Sequence, residues 1–217
     1  MIFSKSMTFD QEDLRQAVAT APPVPLCPTA DSEFIENLRA RDASAFDTMV
    51  TRYSPDVYAL LCRLTSDQDE AADLTQETFL SALRSIKSFR GESGIRTWLF
   101  RIAINESRNR FRWWKRRRRG ETLSLDATIG DSETRIWETI SDRSISPEEA
   151  VLQRERSAAL REALNSLKPV YKEAIVLCDI EGLSYEECAS ALDTNIGTVK
   201  SRISRGRDEL RRRLKGF

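Results

Sequence analysis

Apolar residues recur every three or four positions over most of this 217-residue chain, and no alternating pattern persists anywhere. That period is helical, so the chain reads as all-α. Phe34, Ile35 and Leu38 open a first helix, and Ala45, Phe46, Met49, Val50 and Tyr53 continue the spacing. Pro55 is placed in the first turn of a further helix through Val57, Leu60, Leu61 and Leu64. Asp67-Gln-Asp69 caps the next, which carries Ala71, Ala72, Leu74, Phe79, Leu80 and Leu83 toward a core. Gly91-Glu-Ser-Gly94 breaks the pattern as a loop. A last helix of this half starts near Thr97 and passes Trp98, Leu99, Ile102 and Ala103 on its way to Trp113.

From 116 to 150 the periodicity disappears into Gly120, Gly130 and an acidic, Ser/Thr-rich stretch, the composition of a flexible linker. Residues 151–217 resume the helical pattern as a second, smaller domain of three or four helices. Residues 1–32 form a tail with too few apolar residues for a core, and disorder is expected there. Pro22, Pro23, Pro25 and Pro28 forbid a helix through that stretch, although a short one near 10–20 is compatible with the sequence. The expected fold is therefore two small helical domains, 33–115 and 151–217, joined by the 116–150 linker and preceded by the 1–32 tail.

The end of the chain is the most specific part. Ser184 and Glu187 have the spacing of a capping box, so a helix starts there. A polar break follows at Asp193-Thr-Asn195. The helix after it carries an apolar stripe of Ile196, Val199, Ile203, Leu210 and Leu214. The positions off the stripe are Thr198, Lys200, Ser201, Arg202, Ser204 and Arg205. Basic groups and small hydroxyls are the chemistry that meets phosphates and base edges. This is the layout of a helix-turn-helix whose second helix enters the major groove. Gly197 near its start lets a backbone approach closely, so a phosphate can sit against the helix N-terminus. The plainer alternative is a helical hairpin with a cationic face, and DNA binding is favoured over it.

The formal net charge is zero, but it is unevenly distributed. Residues 1–32 carry −2, 33–119 carry +5, 120–150 carry −6 and 151–217 carry +3. Residues 101–119 hold nine Lys or Arg against Glu106 alone, and 200–215 hold eight against Asp208 and Glu209. Two such runs, one of them on a helix-turn-helix, point to a polyanionic partner.

Two more clusters stand out. Around the 91–94 loop, Phe89, Arg90, Arg96, Trp98, Asn105, Arg108, Asn109, Trp113 and Trp114 interleave aromatics, arginines and amides. Aromatic faces stack on unpaired bases and Arg tracks a backbone, which suits single strands better than duplex. Trp98 is expected to be mostly core; Phe89, Arg90, Asn105, Arg108 and Asn109 are the better contact candidates. Asp69, Asp73, Gln76 and Glu77 make an acidic helical surface, read as a protein-docking face. No residue set reads as catalytic or metal-binding, and no cofactor is expected. There is no His, and none of Cys27, Cys62, Cys178 and Cys188 forms a Cys-x-x-Cys pair. The spacing of Cys178 and Cys188 leaves a disulfide open, though both fit an apolar stripe as small hydrophobes. No stretch approaches a membrane span and no signal peptide is seen, so a reduced, cytoplasmic protein without membrane insertion is expected.

The ordered motifs resemble those of extracytoplasmic-function sigma factors, group IV of the sigma-70 family. They are Asp73-Leu-Thr-Gln-Glu-Thr-Phe79; Ser88-Phe-Arg-Gly-Glu-Ser93 with Thr97-Trp-Leu-Phe-Arg-Ile-Ala-Ile-Asn105; and Asp179-Ile-Glu-Gly-Leu-Ser-Tyr-Glu-Glu187 with Gly197-Thr-Val-Lys-Ser-Arg202. The resemblance covers about 33–217. It implies sigma region 2 followed by region 4, and core RNA polymerase and promoter DNA, duplex and single-stranded, as partners. It also implies docking of the 73–79 helix on the β′ clamp helices, further contact with the β subunit, and an anti-sigma factor as an additional partner. By that likeness Phe89, Arg90, Asn105, Arg108 and Asn109 meet the melted −10 element, while Thr198, Lys200, Ser201, Arg202, Ser204 and Arg205 read the −35 element. Asp193 departs from the Gly common in the family and Asn195 from the Pro, but Asn195 can still cap the recognition helix. The tail is longer than usual, and the Arg116–Arg119 run is stronger. A stand-alone helix-turn-helix regulator is the alternative. It leaves the 89–114 cluster and the acidic face without a role. A nuclease built on the 67–77 carboxylates leaves the helix-turn-helix unexplained.

Overall fold

The structure, a computed structural model, describes residues 28–91, 93–118 and 147–215. Most of the expected tail, with its short helix, and most of the expected linker lie outside the described residues. All regular elements described are helical. The first domain contains α1 (Pro28–Arg39), α2 (Ala43–Thr65), α3 (Gln68–Ser85), a 3₁₀ turn (Ile86–Ser88) and α4 (Ile95–Arg118). The second contains α5 (Pro147–Asn165), α6 (Pro169–Ile175) running into a π turn (Val176–Ile180), α7 (Tyr185–Leu192) and α8 (Ile196–Leu214).

Local chemistry fixes four of the helix starts. The Asp42 carboxylate accepts the Ala45 amide at 2.8 Å to open α2, and Asp67 accepts Glu70 at 2.9 Å to open α3. Ser184 and Glu187 form both halves of the capping box at α7. Asn195 accepts the Thr198 amide at 2.7 Å and starts α8 at Ile196.

Several expectations need correction. Pro28 opens α1 rather than preventing it, because a first-turn proline gives up an amide that has no acceptor anyway. Pro55 does not start a helix but lies inside the single 23-residue α2. The stripe Ala45, Met49, Val57, Leu60 and Leu61 is buried on both sides of it. That burial offsets the lost hydrogen bond and ring clash, about 3 kcal/mol, because each fully buried large apolar side chain contributes ~1.5–3 kcal/mol. Leu80, expected in the core, is 51% exposed, since α3 turns only Ala71, Leu74, Thr75, Thr78, Phe79 and Ala82 inward. The last helix of the first domain runs on to Arg118, and α5 already begins at Pro147.

In the first domain α2, α3 and α4 pack together, with Leu60, Leu61, Leu74, Ala82, Leu99, Phe100, Ala103 and Ile104 fully buried. In the second, α8 crosses α6 and α7, burying Val199, Ile203 and Leu210. The close approach is made at Gly206, where a Cβ would lie 2.8 Å from Ile175 Cγ1 and 3.4 Å from Tyr171 Cβ. The π turn is closed by Glu181 N–H donating to Val176 O at 2.9 Å, five residues back. Gly182 follows with φ 72°, and Leu183 N–H returns to Leu177 O at 3.0 Å.

The two domains touch, chiefly through α4 against α7 and the π turn against α2. Polar groups line this seam. Lys172 is buried and donates to Leu64 O at 2.9 Å, Asn165 Oδ1 at 2.9 Å and Ser66 Oγ at 3.2 Å. Its burial pulls the ammonium pKa down to about 8. The Thr97 hydroxyl, also buried, donates to Glu187 Oε1 at 3.4 Å.

Two substitutions test this packing. Gly206→Ala gains helix propensity but forces Ile175 aside, so it should lower stability by about 1–3 kcal/mol. Asp193 holds a left-handed conformation, φ 52° and ψ 55°, at the end of α7. Asp193→Gly should therefore raise stability by roughly 0.5–1 kcal/mol. Urea denaturation midpoints at unchanged slope read both effects.

Candidate nucleic-acid interface

The α8 surface is built from the inside out. Val199, Ile203, Gly206 and Leu210 seat one side of the helix on α6 and α7. The opposite side follows by periodicity: Lys200, Ser201, Ser204 and Arg205 are exposed, and Thr198 and Arg202 are half-buried at its margin. All six candidates are thus brought onto one surface. Lys200 Nζ sits 5.5 Å above the Tyr185 ring of α7, which steadies a long side chain beside the solvent-facing positions. Among the described residues Arg202 and Arg205 enter no ion pair. The Asn195 carboxamide already occupies the Thr198 amide, leaving the amides before it as the open donors of the helix N-terminus. Ile196, expected on the buried stripe, is 37% exposed at the helix start.

On α4, Asn105, Arg108 and Asn109 fall at i, i+3 and i+4 and share one side of the helix. Asn105 and Asn109 are exposed, and Asn109 Oδ1 accepts from Arg112. Arg108 is engaged: its Nε and Nη2 fork onto Glu173 of α6 at 2.9 and 2.6 Å. That contact raises the guanidinium pKa further against the opposing effect of burial. Phe89 does not join this group. It is 4% exposed, its ring lies 5.0 Å from that of half-buried Trp98, and its carbonyl accepts Arg39 Nη2 at 2.5 Å. In this conformation its ring faces the core rather than an incoming base, while Arg90 next to it is exposed. The aromatics that do reach solvent are Phe111 at 60%, Trp113 at 42% and Trp114 at 45%. Their signal is present in the basic-aromatic run, but they fall beyond the contact candidates that the sequence favours.

The acidic set lies on the outer side of α3. Asp69, Asp73, Gln76 and Glu77 are all exposed, and Leu80 continues the same stripe. Helical spacing alone does not say which of two adjacent stripes is buried, hence the expected place of Leu80 in the core. Glu77 pairs with Arg110 of α4 at 2.7 Å across a shallow groove of about 380 Å³, lined also by Glu106, Asn109, Trp113 and Arg116. Cys62, Cys178 and Cys188 are free thiols. Cys188 is buried, and hydrogen bonding to Cys178 together with burial holds it protonated. Among the described residues no three His, Cys, Asp or Glu side chains are grouped to hold a metal, and no helix is long and apolar enough to cross a membrane.

Comparison with known proteins matches two stretches of the chain, one in each domain, to two family models: Sigma-70 region 2 over residues 49–119, and Sigma-70, region 4 over residues 157–210. The chain is 37% identical to the ECF RNA polymerase sigma-E factor of Haemophilus influenzae, across 85% of this chain and 95% of that one. It is 35% identical to the RNA polymerase sigma-H factor of Pseudomonas aeruginosa, across 85% and 93%. Among solved structures it is similar to the sigma factor RpoE of Bartonella quintana, crystallised with the anti-sigma factor NepR. That match has 29% identity and a TM-score of 0.58, covering 78% of this chain and 96% of that one. CnrH, solved with the cytosolic domain of CnrY, shares the fold at 22% identity and a TM-score of 0.61, covering 86% and 98%. With both regions present in order, and relatives matched over nearly their whole length, the chain belongs to the extracytoplasmic-function sigma factors, non-enzymatic alternative sigma factors of transcription initiation.

Proposed function

We propose that this sigma factor binds core RNA polymerase through the outer side of α3, reads the −35 duplex with α8 and captures the melted −10 strand with α4. The observation that carries the reading is α8. A capped helix buries its apolar side and turns Lys200, Ser201, Ser204 and Arg205 to solvent, with Thr198 and Arg202 at the edge. A helix of this kind fits the major groove, where phosphate contacts position it and base-edge contacts select sequence.

Strand capture uses different physics. Melting loses base stacking, and contacts with splayed bases replace it, worth roughly 1–3 kcal/mol per stacked base. Asn105 and Asn109 supply amides to base edges, Arg90 and Arg108 supply charge, and the exposed Trp113 and Trp114 add stacking surface. Phe89 takes part only if it leaves the core. Asp69, Asp73, Gln76 and Glu77, with exposed Leu80 at the end of their stripe, combine polar groups with an apolar contact, which supports this side of α3 as the docking face for the β′ clamp helices. Contact with the β subunit follows by family likeness, and control by an anti-sigma factor follows by likeness to RpoE, solved with the anti-sigma factor NepR. The protein contributes binding free energy to the open complex, and the polymerase performs the chemistry.

Run-off transcription over a genomic fragment library, with a heterologous bacterial core polymerase, tests the whole reading. Discrete start sites that depend on the protein are expected; no new starts, with tight binding of the protein alone to a palindromic site, would establish the stand-alone regulator instead. Arg205→Ala should weaken binding to the −35 duplex so found by about 1–3 kcal/mol and relax selectivity at one position. Asn105→Ala should leave −35 binding intact and reduce permanganate reactivity of unpaired thymines at the start site.

A further inference from the structure

At the seam between the domains, Arg63, Arg96 and Arg108 of the first are bound by two carboxylates of the second. Glu173 of α6 takes Arg108 in a two-pronged fork, with side-chain exposures of 8% and 31%. Glu181, at the end of the π turn, is 6% exposed and takes two arginines at once. Arg63 Nη1 reaches its Oε1 at 2.5 Å and Arg96 Nη2 its Oε2 at 2.8 Å. Arg96 also donates to the Glu181 carbonyl at 3.2 Å and, through Nε, to Asp56 at 2.7 Å. Burial pushes the Glu181 pKa up, and the two arginines oppose that rise.

The fork on Arg108 is the geometry with which arginine binds a phosphate: two parallel N–H donors onto two anionic oxygens. A strand phosphate and the Glu173 carboxylate therefore compete for the same donors. Arg96 stands at the start of α4, next to the 91–94 loop, so the Glu181 contact also holds the loop end of that helix. The two domains are joined by residues 119–146, 28 residues that span up to ~90 Å when extended, so parting them is not limited by the tether. A tethered competitor acts at an effective concentration of order millimolar, and it scales the apparent affinity of a ligand for the masked groups by the fraction of molecules that are open.

We propose that Glu173 and Glu181 form an intramolecular latch: in the free chain they occupy the arginines of the strand-capturing domain, and a single-stranded nucleic acid must displace them. This rests on the strand-capture reading of α4. It adds that the free protein is closed and that its second domain masks the first.

The test uses the full chain carrying Glu173→Gln and Glu181→Gln together. Small-angle scattering reads the separation of the domains, and fluorescence anisotropy reads binding of a labelled twelve-residue oligothymidine. A charge-matched control, Glu36→Gln with Glu155→Gln, alters two exposed carboxylates away from the seam. The latch variant should have a larger radius of gyration than wild type at low salt. It should bind the oligonucleotide on the order of three- to tenfold more tightly, the effect expected of releasing half-buried ion pairs. The control should leave the radius unchanged and shift affinity less. Equal affinity shifts in variant and control, or an unchanged radius in the latch variant, would overturn the proposal. Should the variant lose helical content, wild type suffices: saturating oligothymidine should expand it, and an unchanged radius would sink the latch. Run-off transcription separates the two ideas. Its absence in wild type refutes the sigma reading, whereas normal transcription with wild-type compactness in the variant refutes only the latch.

Discussion

A buried charge must be met by an opposite charge or a full set of hydrogen bonds, and this requirement governs how the two domains meet. Glu173, Glu181 and Lys172 are each nearly removed from solvent at the seam. None finds all its partners within its own domain. Glu173 needs Arg108, Glu181 needs Arg63 and Arg96, and Lys172 needs the Leu64 carbonyl at the end of α2. The second domain alone would leave these groups facing water, where they are well solvated, so the closed arrangement is held by balance rather than by apolar area alone. A seam of this kind is selective about geometry and responsive to competing ions.

Helix α4 shows how one element serves several ends. Leu99, Phe100, Ala103 and Ile104 fix it in the first core, its other sides meet α7 and the solvent, and its basic end runs on past Trp113. Because the buried positions take up so much of its circumference, the polar residues are confined to narrow strips, which is why Asn105, Arg108 and Asn109 fall together. In α8 the division is simpler, with one side against α6 and α7 and the other open. The contrast follows from burial on several sides in one case and on one side in the other.

Much of this was legible in the sequence because it depends on neighbours in the chain. The Ser184–Glu187 box, the Asp67 cap and the Asn195 cap are all local hydrogen bonds between residues three apart, and each forms as the spacing suggests. The polar surface of α8 likewise follows from a period of 3.6. What was not legible depends on residues far apart. Pro55 is tolerated because packing on both sides outweighs a local cost. Leu80 is exposed because tertiary neighbours choose between adjacent stripes, and Phe89 is buried because the extended residue after the 3₁₀ turn packs its ring against Trp98. Gly206 completes the buried stripe of α8 between Ile203 and Leu210, but a glycine carries no hydrophobic signal, so only the approach of Ile175 reveals its place. The pairings of Arg108 with Glu173 and of Arg96 with Glu181 join positions 65 and 85 residues apart, beyond any spacing rule.

The hydrogen bond from Arg39 to the Phe89 carbonyl ties α1 to the foot of the 91–94 loop. Leu38, 2% exposed, anchors the same helix in the first core. Yet the region 2 family match begins at residue 49, after both. The unit recognisable by descent and the unit that bears mechanical load therefore have different edges. A fragment cut at the former would keep Phe89, Arg90, Asn105, Arg108 and Asn109, the residues proposed for strand capture, but release the brace that sets the position of the 91–94 loop.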